Sequence, residues 1–212
     1  NRHHCYDVWE HTLHALAAVP GDPVLRCAML LHDVGKPASF TLDEMGVGHF
    51  YGHPAVSRQM AEEMLRRLKC ATEFRETVVR LVEWHDKDIP RTDKSIWRAL
   101  RILGEEDLRR LILVKRADNL GQAPEFWDRQ KELDKAEEIL NRLLAEDACF
   151  SLKRLAVNGR DLLALGLSGP AVGRALEELL EKVMDGALPN EREALLEHVR
   201  KNRETGGEER QI

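Results

Sequence analysis

Apolar residues recur along most of the chain at the three- and four-residue spacing of an amphipathic α-helix. No long stretch shows the two-residue alternation of a β-strand, apart from the short piece "GVGHFYG" at residues 46–52. The pattern therefore predicts an all-α protein. The predicted helices span residues 5–19, 23–33, 54–69, 72–86, 94–103, 105–120, 125–147, 159–166, 170–186 and 190–202.

Proline, glycine and asparagine mark the ends of several of these helices. Pro23 and Pro54 suit the first helical turn, where a residue without an N–H group costs little. Gly35 and Gly104 suit helix exits, because glycine adopts the left-handed conformation that often ends a helix. Asn158 and Asn190 are predicted to cap the helices that follow them.

Two segments interrupt the helical pattern. Residues 38–53, "ASFTLDEMGVGHFYGH", form the longest predicted loop, and a loop of this length inside a helical bundle is usually functional. The segment "CFSLKRLAV" at residues 149–157 follows a long charged helix and is typical of a hinge. We therefore expect a larger helical domain over residues 1–148 and a smaller C-terminal helical subdomain over residues 149–212.

Composition narrows the class of protein. The chain has 212 residues and a formal net charge of -5, which disfavours non-specific binding of nucleic acid through excess lysine and arginine. The net charge is still compatible with a local basic groove. No stretch approaches the apolar length of a membrane helix, and the N-terminal residues lack the pattern of a signal peptide. The cysteines form no CxxC pair, so we expect reduced thiols and a cytoplasmic location.

Two aspartates follow apolar stretches that should be buried helix surface. Asp33 comes just after Ala28–Leu31, and Asp118 comes after Leu111–Val114. A buried carboxylate needs a strong partner, because leaving it unpaired is energetically costly. A metal ion would supply that partner, and the two oxygens of Asp33 could bridge two ions.

Four histidines are candidates for metal binding, and each lies within or at the end of a predicted helix. These are His11, His32, His53 and His85. Imidazole nitrogens and carboxylate oxygens together suit a divalent transition metal such as Mn, Fe, Co, Ni or Zn better than Mg. Each residue also has a structural alternative. A single histidine near a helix end is more often a capping or core residue, and Asp118 could pair with Arg116 or Lys115. The residues alone leave these alternatives open.

The order of these residues resembles the signature of the HD phosphohydrolase superfamily. The motif H…HD…D is matched by His11, the dipeptide His32–Asp33 and Asp118, and His53 and His85 extend it to the form that holds two metals in some members. The resemblance covers residues 3 to about 125 and implies an HD-domain helical bundle. In the arrangement that it implies, one ion is held by His11, His32, Asp33 and Asp118, and a second by Asp33, His53 and His85.

Longer segments resemble the HD region of bacterial CCA-adding tRNA nucleotidyltransferases. These are "HCYDVWEHTLHAL", "HDVGKPASFTLDEMGVGHFYGHPAVS", "LVEWHD" and "KRADN". The segment "LAVNGRDLLALGLSGPAVGRALEELLEKV" resembles the C-terminal tail of the same proteins. The Gly-Ser motif and paired aspartates of the nucleotidyltransferase head are not found in the sequence, so nucleotide addition to tRNA is not expected of this chain by itself.

The resemblance implies a metal-dependent phosphohydrolase that acts on 2′,3′-cyclic phosphates and phosphomonoesters of nucleotides or RNA ends. The metals would activate a water molecule for attack on phosphorus, with Asp33 and Lys36 as catalytic residues. Lys36, Arg58 and His49 are the expected substrate contacts, and Tyr51 could border a base or ribose. Without the resemblance, Lys36 would be interpreted as an ordinary solvated lysine.

Two other functions stay open. A standalone nucleotidase acting on mononucleotides would share the site and differ only in substrate. A non-catalytic helical body that binds tRNA for a CCA-adding enzyme would have no chemical need for the six ligands. The tail segment "GLSGPAVGRALEEL" is also open to two interpretations, a phosphate contact at a helix N-terminus or a tight turn between two helices.

Overall fold

The computed structural model describes residues 7–145 and 152–208. Within these residues the fold is all-α, as the apolar spacing predicts, with one very short hairpin. The helices are α1 (Val8–Ala18), α2 (Pro23–Leu31), α3 (His53–Arg67), α4 (Thr72–Trp84), α5 (Asp93–Leu120), α6 (Arg129–Ala145), α7 (Gly159–Ala164), α8 (Pro170–Met184) and α9 (Arg192–Glu208). The strands β1 (Thr41–Leu42) and β2 (Gly48–His49) pair antiparallel within the predicted loop.

Local sequence signals place most of these helix ends. Asp22 accepts a hydrogen bond from the Leu25 N–H group at 2.9 Å, so α2 begins at Pro23 as predicted. Asn158 caps α7 through a capping box with Asp161. Gly104 has a φ of 78°, and this non-helical residue divides α5 into the two helices that the sequence predicts.

Several helix ends differ from the prediction, most of them by one or two residues, and α9 continues to Glu208 instead of ending at residue 202. Asn190 does not cap α9, since its side chain accepts a hydrogen bond from the Ala156 N–H group at 2.8 Å and donates one to the Arg154 carbonyl at 3.0 Å. The predicted helix 125–147 starts with a 3-10 turn at Pro124–Phe126, and the part beyond Ala145 lies outside the described residues. Helix α2 ends at Leu31, so the HD dipeptide follows the helix instead of completing it.

Contacts divide the chain into two compact units, one over Asn1–Thr92 and Ile102–Ile139 and the other over Asp93–Arg101 and Leu140–Ile212. In the first unit α3 and α2 each pack against α4, around fully buried side chains such as Met29, Val78 and Leu81. In the second unit α7 packs against α8. The domain boundary predicted between 148 and 149 stays a prediction, because residues 146–151 lie outside the described residues.

A glycine-containing turn separates two helices of the C-terminal part of the chain. In the second unit, the glycine-containing segment that begins the tail motif forms the turn between α7 and α8, with Gly169 at a φ of 54° just before Pro170. A phosphate contact there stays a prediction.

Across the described residues, no helix combines the length and the apolar character that a bilayer crossing requires.

Candidate metal centre

The first unit brings all six predicted ligands into one cluster. His11 lies in α1, His32 and Asp33 follow α2, His53 opens α3, His85 follows α4, and Asp118 lies in the last turn of α5. The four histidines and Asp33 are buried. Residues that are far apart in sequence therefore share one small volume, as the resemblance predicts, and their metal-binding role stays a prediction.

The Asp33 carboxylate lies between two pairs of histidines. Its Oδ2 atom is 3.2 Å from His32 Nε2 and 3.6 Å from His11 Nε2, whereas its Oδ1 atom is 3.3 Å from His53 Nε2 and 3.7 Å from His85 Nε2. The side chain is 1% exposed. Among the described residues neither oxygen accepts a hydrogen bond of good geometry. Such a buried carboxylate calls for a cation.

Lys36 supplies one cationic neighbour for this carboxylate. Its Nζ atom lies 2.6 Å from Asp33 Oδ2, and the residue is 9% exposed. The same Nζ atom lies over the ring of Phe50, 5.9 Å from the ring centroid. The residue is thus a buried partner of the cluster and not the solvated lysine of the structural alternative.

The histidine rings are oriented by main-chain carbonyl groups. Nδ1 lies within hydrogen-bond distance of one carbonyl oxygen in each ring: His11 of Gly121 at 3.0 Å, His32 of Met29 at 2.6 Å, His53 of Phe50 at 3.1 Å and His85 of Val82 at 2.6 Å. Because a carbonyl can only accept, each Nδ1 carries the proton, and in the neutral ring Nε2 then presents a lone pair. Each of the four Nε2 atoms lies within reach of Asp33.

The lone pairs also meet one another. His11 Nε2 is 3.2 Å from His32 Nε2, and His53 Nε2 is 3.3 Å from His85 Nε2. Two facing lone pairs repel each other unless a proton or a metal ion lies between them. Each histidine pair thus faces one oxygen of Asp33: the first pair faces Oδ2 and the second pair faces Oδ1.

The second aspartate joins one of the two pairs. Asp118 Oδ1 lies 2.9 Å from His11 Nε2 and 3.4 Å from His32 Nε2. The alternative partners are engaged elsewhere, since Arg116 pairs with Asp134 and Glu137. Lys115, for its part, donates to the main-chain carbonyls of His85 and Lys87, at 2.7 Å each.

The electrostatic balance favours positive charge at the centre. Burial alone would lower the pKa of His32, but the carboxylates of Asp33 and Asp118 raise it to about 10. Burial alone would raise the pKa of Asp118, yet its contacts with His11 and His32 hold that pKa well below the usual range. Burial alone would also raise the pKa of Asp33, yet the charge of His32 and contacts with His32, His53 and His85 lower it. Either a proton on His32 or a divalent ion can supply the charge that this field favours.

The ligand atoms form two groups that share Asp33. One group is His11, His32 and Asp33, the other is Asp33, His53 and His85, and within each group the atoms lie within 4.8 Å of one another. Mixed nitrogen and oxygen donors suit borderline divalent cations. The donor set therefore fits two ions with Asp33 between them, and the number and identity of the ions stay predictions.

The ends of α2 and α4 aim their histidines in the same way. His32 and His85 each follow the last residue of a helix, and each Nδ1–H group donates to the carbonyl three residues earlier. Carbonyls in the last turn of a helix have no intrahelical partner, so this bond satisfies them and turns Nε2 outward from the helix.

Close main-chain contact joins the HD turn to α3. The Gly35 N–H group donates to Ser57 Oγ at 2.9 Å. A Cβ atom at position 35 would lie 2.5 Å from Ser57 N and 2.9 Å from the His53 carbonyl oxygen. Only glycine fits there without a shift, and the contact holds Asp33 next to the first residue of α3.

The other two predicted substrate contacts lie apart from the six ligands. Arg58 pairs with Glu83 at 3.1 Å, and both side chains are about half exposed. His49 pairs with Asp43 at 2.8 Å within the hairpin. In the part of the chain that the structure describes, no ion pair or hydrogen bond joins Arg58 or His49 to the cluster. A substrate role for Lys36, Arg58 and His49 stays a prediction.

Sequence reasoning missed the groups that orient the ligands. The repeated spacing in Met29-x-x-His32-Asp33 and Val82-x-x-His85-Asp86 could have indicated two equivalent helix ends. Ser57 and Lys115 had no such signal, because their partners are main-chain groups of distant segments.

Comparison with known proteins shows that the chain is similar to tRNA nucleotidyltransferases. The family model of tRNA nucleotidyltransferase domain 2 matches residues 52–199, which include His53, His85 and Asp118. The CC-adding tRNA nucleotidyltransferase of Thermus thermophilus is 35% identical over 202 residues, which is 90% of this chain and 44% of that protein. The A-adding tRNA nucleotidyltransferase of Deinococcus radiodurans is 31% identical over 201 residues, 90% of this chain and 46% of that protein.

A third similar protein is the multifunctional CCA protein of Xanthomonas euvesicatoria, which is 29% identical over 181 residues, 76% of this chain and 38% of that protein. The chain spans less than half the length of each of these three relatives.

Proposed function

The chain belongs to the tRNA nucleotidyltransferase domain 2 family, and we propose that it is the tRNA-binding helical body of such an enzyme. The observation that carries this proposal is the extent of the family match, which runs over residues 52–199 and includes helices of both units. In this proposal the helices of the chain would hold tRNA, and extension of tRNA is not expected of these 212 residues by themselves. A tRNA partner also favours a cytoplasmic location.

Binding to tRNA tests this proposal directly. Filter binding would compare a tRNA transcript without its CCA end with an unstructured RNA of the same length, at several salt concentrations, because phosphate contacts alone are salt-dependent and insensitive to fold. We expect tighter binding of tRNA at every salt concentration and no extension with labelled CTP or ATP. Equal affinity for the two RNAs would contradict the proposal, and robust extension would contradict the absence of a head activity.

The cluster supports a second function, metal-dependent hydrolysis of phosphoesters by a site of the HD type. The observation in its favour is the buried Asp33 carboxylate between two histidine pairs, which a structural body does not need. The class of substrate would be 2′,3′-cyclic phosphates and phosphomonoesters of nucleotides or RNA ends. When bound, the ions would supply positive charge at the phosphoryl oxygens and a water molecule of lowered pKa.

Side chains of the protein would orient the ligands and bind the substrate phosphate. The carbonyl-bound Nδ1 groups keep the four Nε2 atoms unprotonated in the neutral ring and aimed at Asp33. Lys36 would leave Asp33 Oδ2 for a phosphoryl oxygen once an ion neutralises that carboxylate, because its Nζ atom is already at the centre. Burial of the cluster limits access of bulk water.

A matched pair of aspartate variants tests the hydrolytic function. Asp33→Asn removes the shared ligand charge, whereas Asp86→Asn changes the exposed aspartate that follows His85 in the second HD dipeptide. We expect Asp33→Asn alone to lose bound Mn and the hydrolysis of 2′,3′-cyclic AMP. Wild-type protein that hydrolyses no phosphoester with Mn, Co or Ni would contradict this function. Faster turnover of 5′-nucleotides or dNTPs than of the cyclic ester would instead favour a mononucleotidase.

A further inference from the structure

The hairpin before α3 carries a stacked pair of aromatic rings. The rings of His49 and Tyr51 are 4.9 Å apart between centroids and 11° from parallel. Tyr51 is 76% exposed, so the stack lies at the surface and does not belong to the core. A large flat side chain that is ordered by one neighbour and still exposed offers a surface for another ring.

Asp43 holds this stack in place. Its Oδ2 atom accepts a hydrogen bond from His49 Nε2 at 2.8 Å, and its Oδ1 atom accepts from the N–H groups of Met45 and Val47 at 2.9 Å each. These bonds fix the loop and the histidine ring together. The platform is therefore largely preorganised, which lowers the entropic cost of binding a planar ligand.

Within the same segment, Phe50 contacts two residues of the candidate metal centre. Phe50, between the two stacked residues, accepts a hydrogen bond from His53 Nδ1 through its carbonyl at 3.1 Å, and its ring lies under Lys36. Tyr51 precedes His53 by two residues, and two residues of chain span at most about 7 Å. The main chain of the stacked Tyr51 is thus two residues from a candidate ligand, a spacing short enough for one nucleotide to contact both the stack and the centre.

We propose that the His49–Tyr51 stack binds the nucleobase of the nucleotide whose phosphoester reaches the candidate metal centre. The proposal rests on the phosphoester function proposed above and adds the base contact to it. Stacking on an aromatic ring tolerates every base, because each base has a π-face. The site would therefore select for the presence of a base and discriminate little among bases.

Binding measurements test the platform without any need for turnover. Titration calorimetry on Mn-loaded protein would compare adenosine 5′-monophosphate with ribose 5-phosphate, which carries a hydroxyl group in place of the base. We expect wild-type protein to bind the nucleotide about tenfold more tightly, in the range of a single aromatic stack. Tyr51→Ala should remove this difference, and Tyr51→Phe should retain it.

The control variant is Met45→Ala, which shortens another exposed side chain of the same hairpin, 86% exposed, and keeps the main-chain N–H group that bonds to Asp43. Discrimination by this variant should equal that of wild type. The platform is overturned if wild-type protein binds the nucleotide no more tightly than ribose 5-phosphate, including weak or undetectable binding of both. It is also overturned if Met45→Ala lowers discrimination as much as Tyr51→Ala.

Hydrolysis of 2′,3′-cyclic AMP separates this proposal from the function on which it rests. In an active protein, the effect of Tyr51→Ala should appear as an increase in KM of about tenfold. Discrimination between the two ligands without any hydrolysis would remove the hydrolytic function and keep the platform. Hydrolysis without discrimination would remove the platform and keep the hydrolytic function.

Discussion

At the residue scale, Asp33 links the two halves of the cluster. Its two oxygens face different histidine pairs, so a ligand change in one pair should leave the other pair with a complete set of donors. Lys36 differs from the ligands, because its positive charge competes with a metal for the same oxygen. Variants of ligands and of Lys36 should therefore separate metal binding from catalysis.

His85→Ala tests the number of ions. The variant removes one donor of the group that contains His53 and leaves His11, His32 and Asp33 unchanged. We expect bound metal, measured by elemental analysis after loading with Mn, to fall by about one ion per chain. His14→Ala is the control, because His14 is an exposed histidine of α1. A wild-type content of one ion that the His85 variant does not change would contradict the two-ion arrangement.

Lys36→Ala tests the substrate role of the lysine. A cation at the phosphoryl group stabilises the charge that develops in the transition state, and its loss should lower turnover of 2′,3′-cyclic AMP roughly tenfold to a thousandfold. Metal content should not fall, because Lys36 competes with the ions and does not hold them. Lys131→Ala, at a lysine whose side chain is 78% exposed, is the control. Wild-type turnover in the Lys36 variant would return this residue to a structural role.

At the scale of elements, the cluster depends on how closely the ends of helices approach one another. Gly35 sets the contact between the HD turn and α3, and Gly121 allows α5 to approach α1. A Cβ atom at position 121 would lie 3.0 Å from His11 Nδ1. Both glycines are thus needed for close packing beside a ligand, and neither has a positive φ.

Gly35→Ala should weaken both the fold and the site. The added Cβ atom meets main-chain atoms of α3, which cannot rotate away as a side chain could. We expect a loss of about 1–3 kcal/mol in the free energy of unfolding, measured with urea, together with weaker Mn binding. Gly21→Ala provides the matched control, since no atom lies within 4 Å of a Cβ there. Equal stability of the two variants would mean that the turn moves freely.

Lys115 connects α5 to the end of α4. Its Nζ atom donates to the carbonyls of His85 and Lys87, so Lys115→Met should loosen the helix end that aims His85. We expect about tenfold weaker Mn binding by the donor group that contains His85, as is typical for loss of a group that orients a ligand. Lys115→Arg should restore part of the affinity, and Lys131→Met should have no effect. A uniform loss at both ions would indicate general unfolding instead.

At the scale of the whole molecule, the cluster ties together helices that are distant in sequence. Its ligands come from α1, α3 and α5 and from the ends of α2 and α4, so a metal can bind with full strength only when the first unit is folded. Ligand binding to the folded state alone stabilises that state by mass action.

Metal addition should therefore stabilise the protein against unfolding. At a free Mn concentration a hundredfold above Kd, one site contributes about 2.7 kcal/mol to the free energy of unfolding. Urea unfolding of chelator-treated protein with and without Mn measures this gain, and Asp33→Asn should abolish it. The Asp86→Asn variant should retain it, and a gain of the same size in both variants would place the metal elsewhere.

The sequence by itself determined the all-α fold and most helix ends, because apolar spacing, prolines and caps act within a few residues along the chain. It also determined which side chains are candidates for the centre, since a charged residue after an apolar run is costly to bury alone. Asn190 shows where prediction from neighbouring residues fails, because its side chain bonds to Ala156, 34 positions away along the chain.

Only the tertiary structure decided the relations among these residues. Which oxygen of Asp33 faces which histidine pair, which carbonyl fixes each ring, and why position 35 must be glycine all depend on contacts between distant segments. The sequence pattern for Lys115 was equally compatible with a bond to Asp118, one turn away. The fold directs it to the end of α4 instead, because two carbonyls without helical partners lie within its reach there.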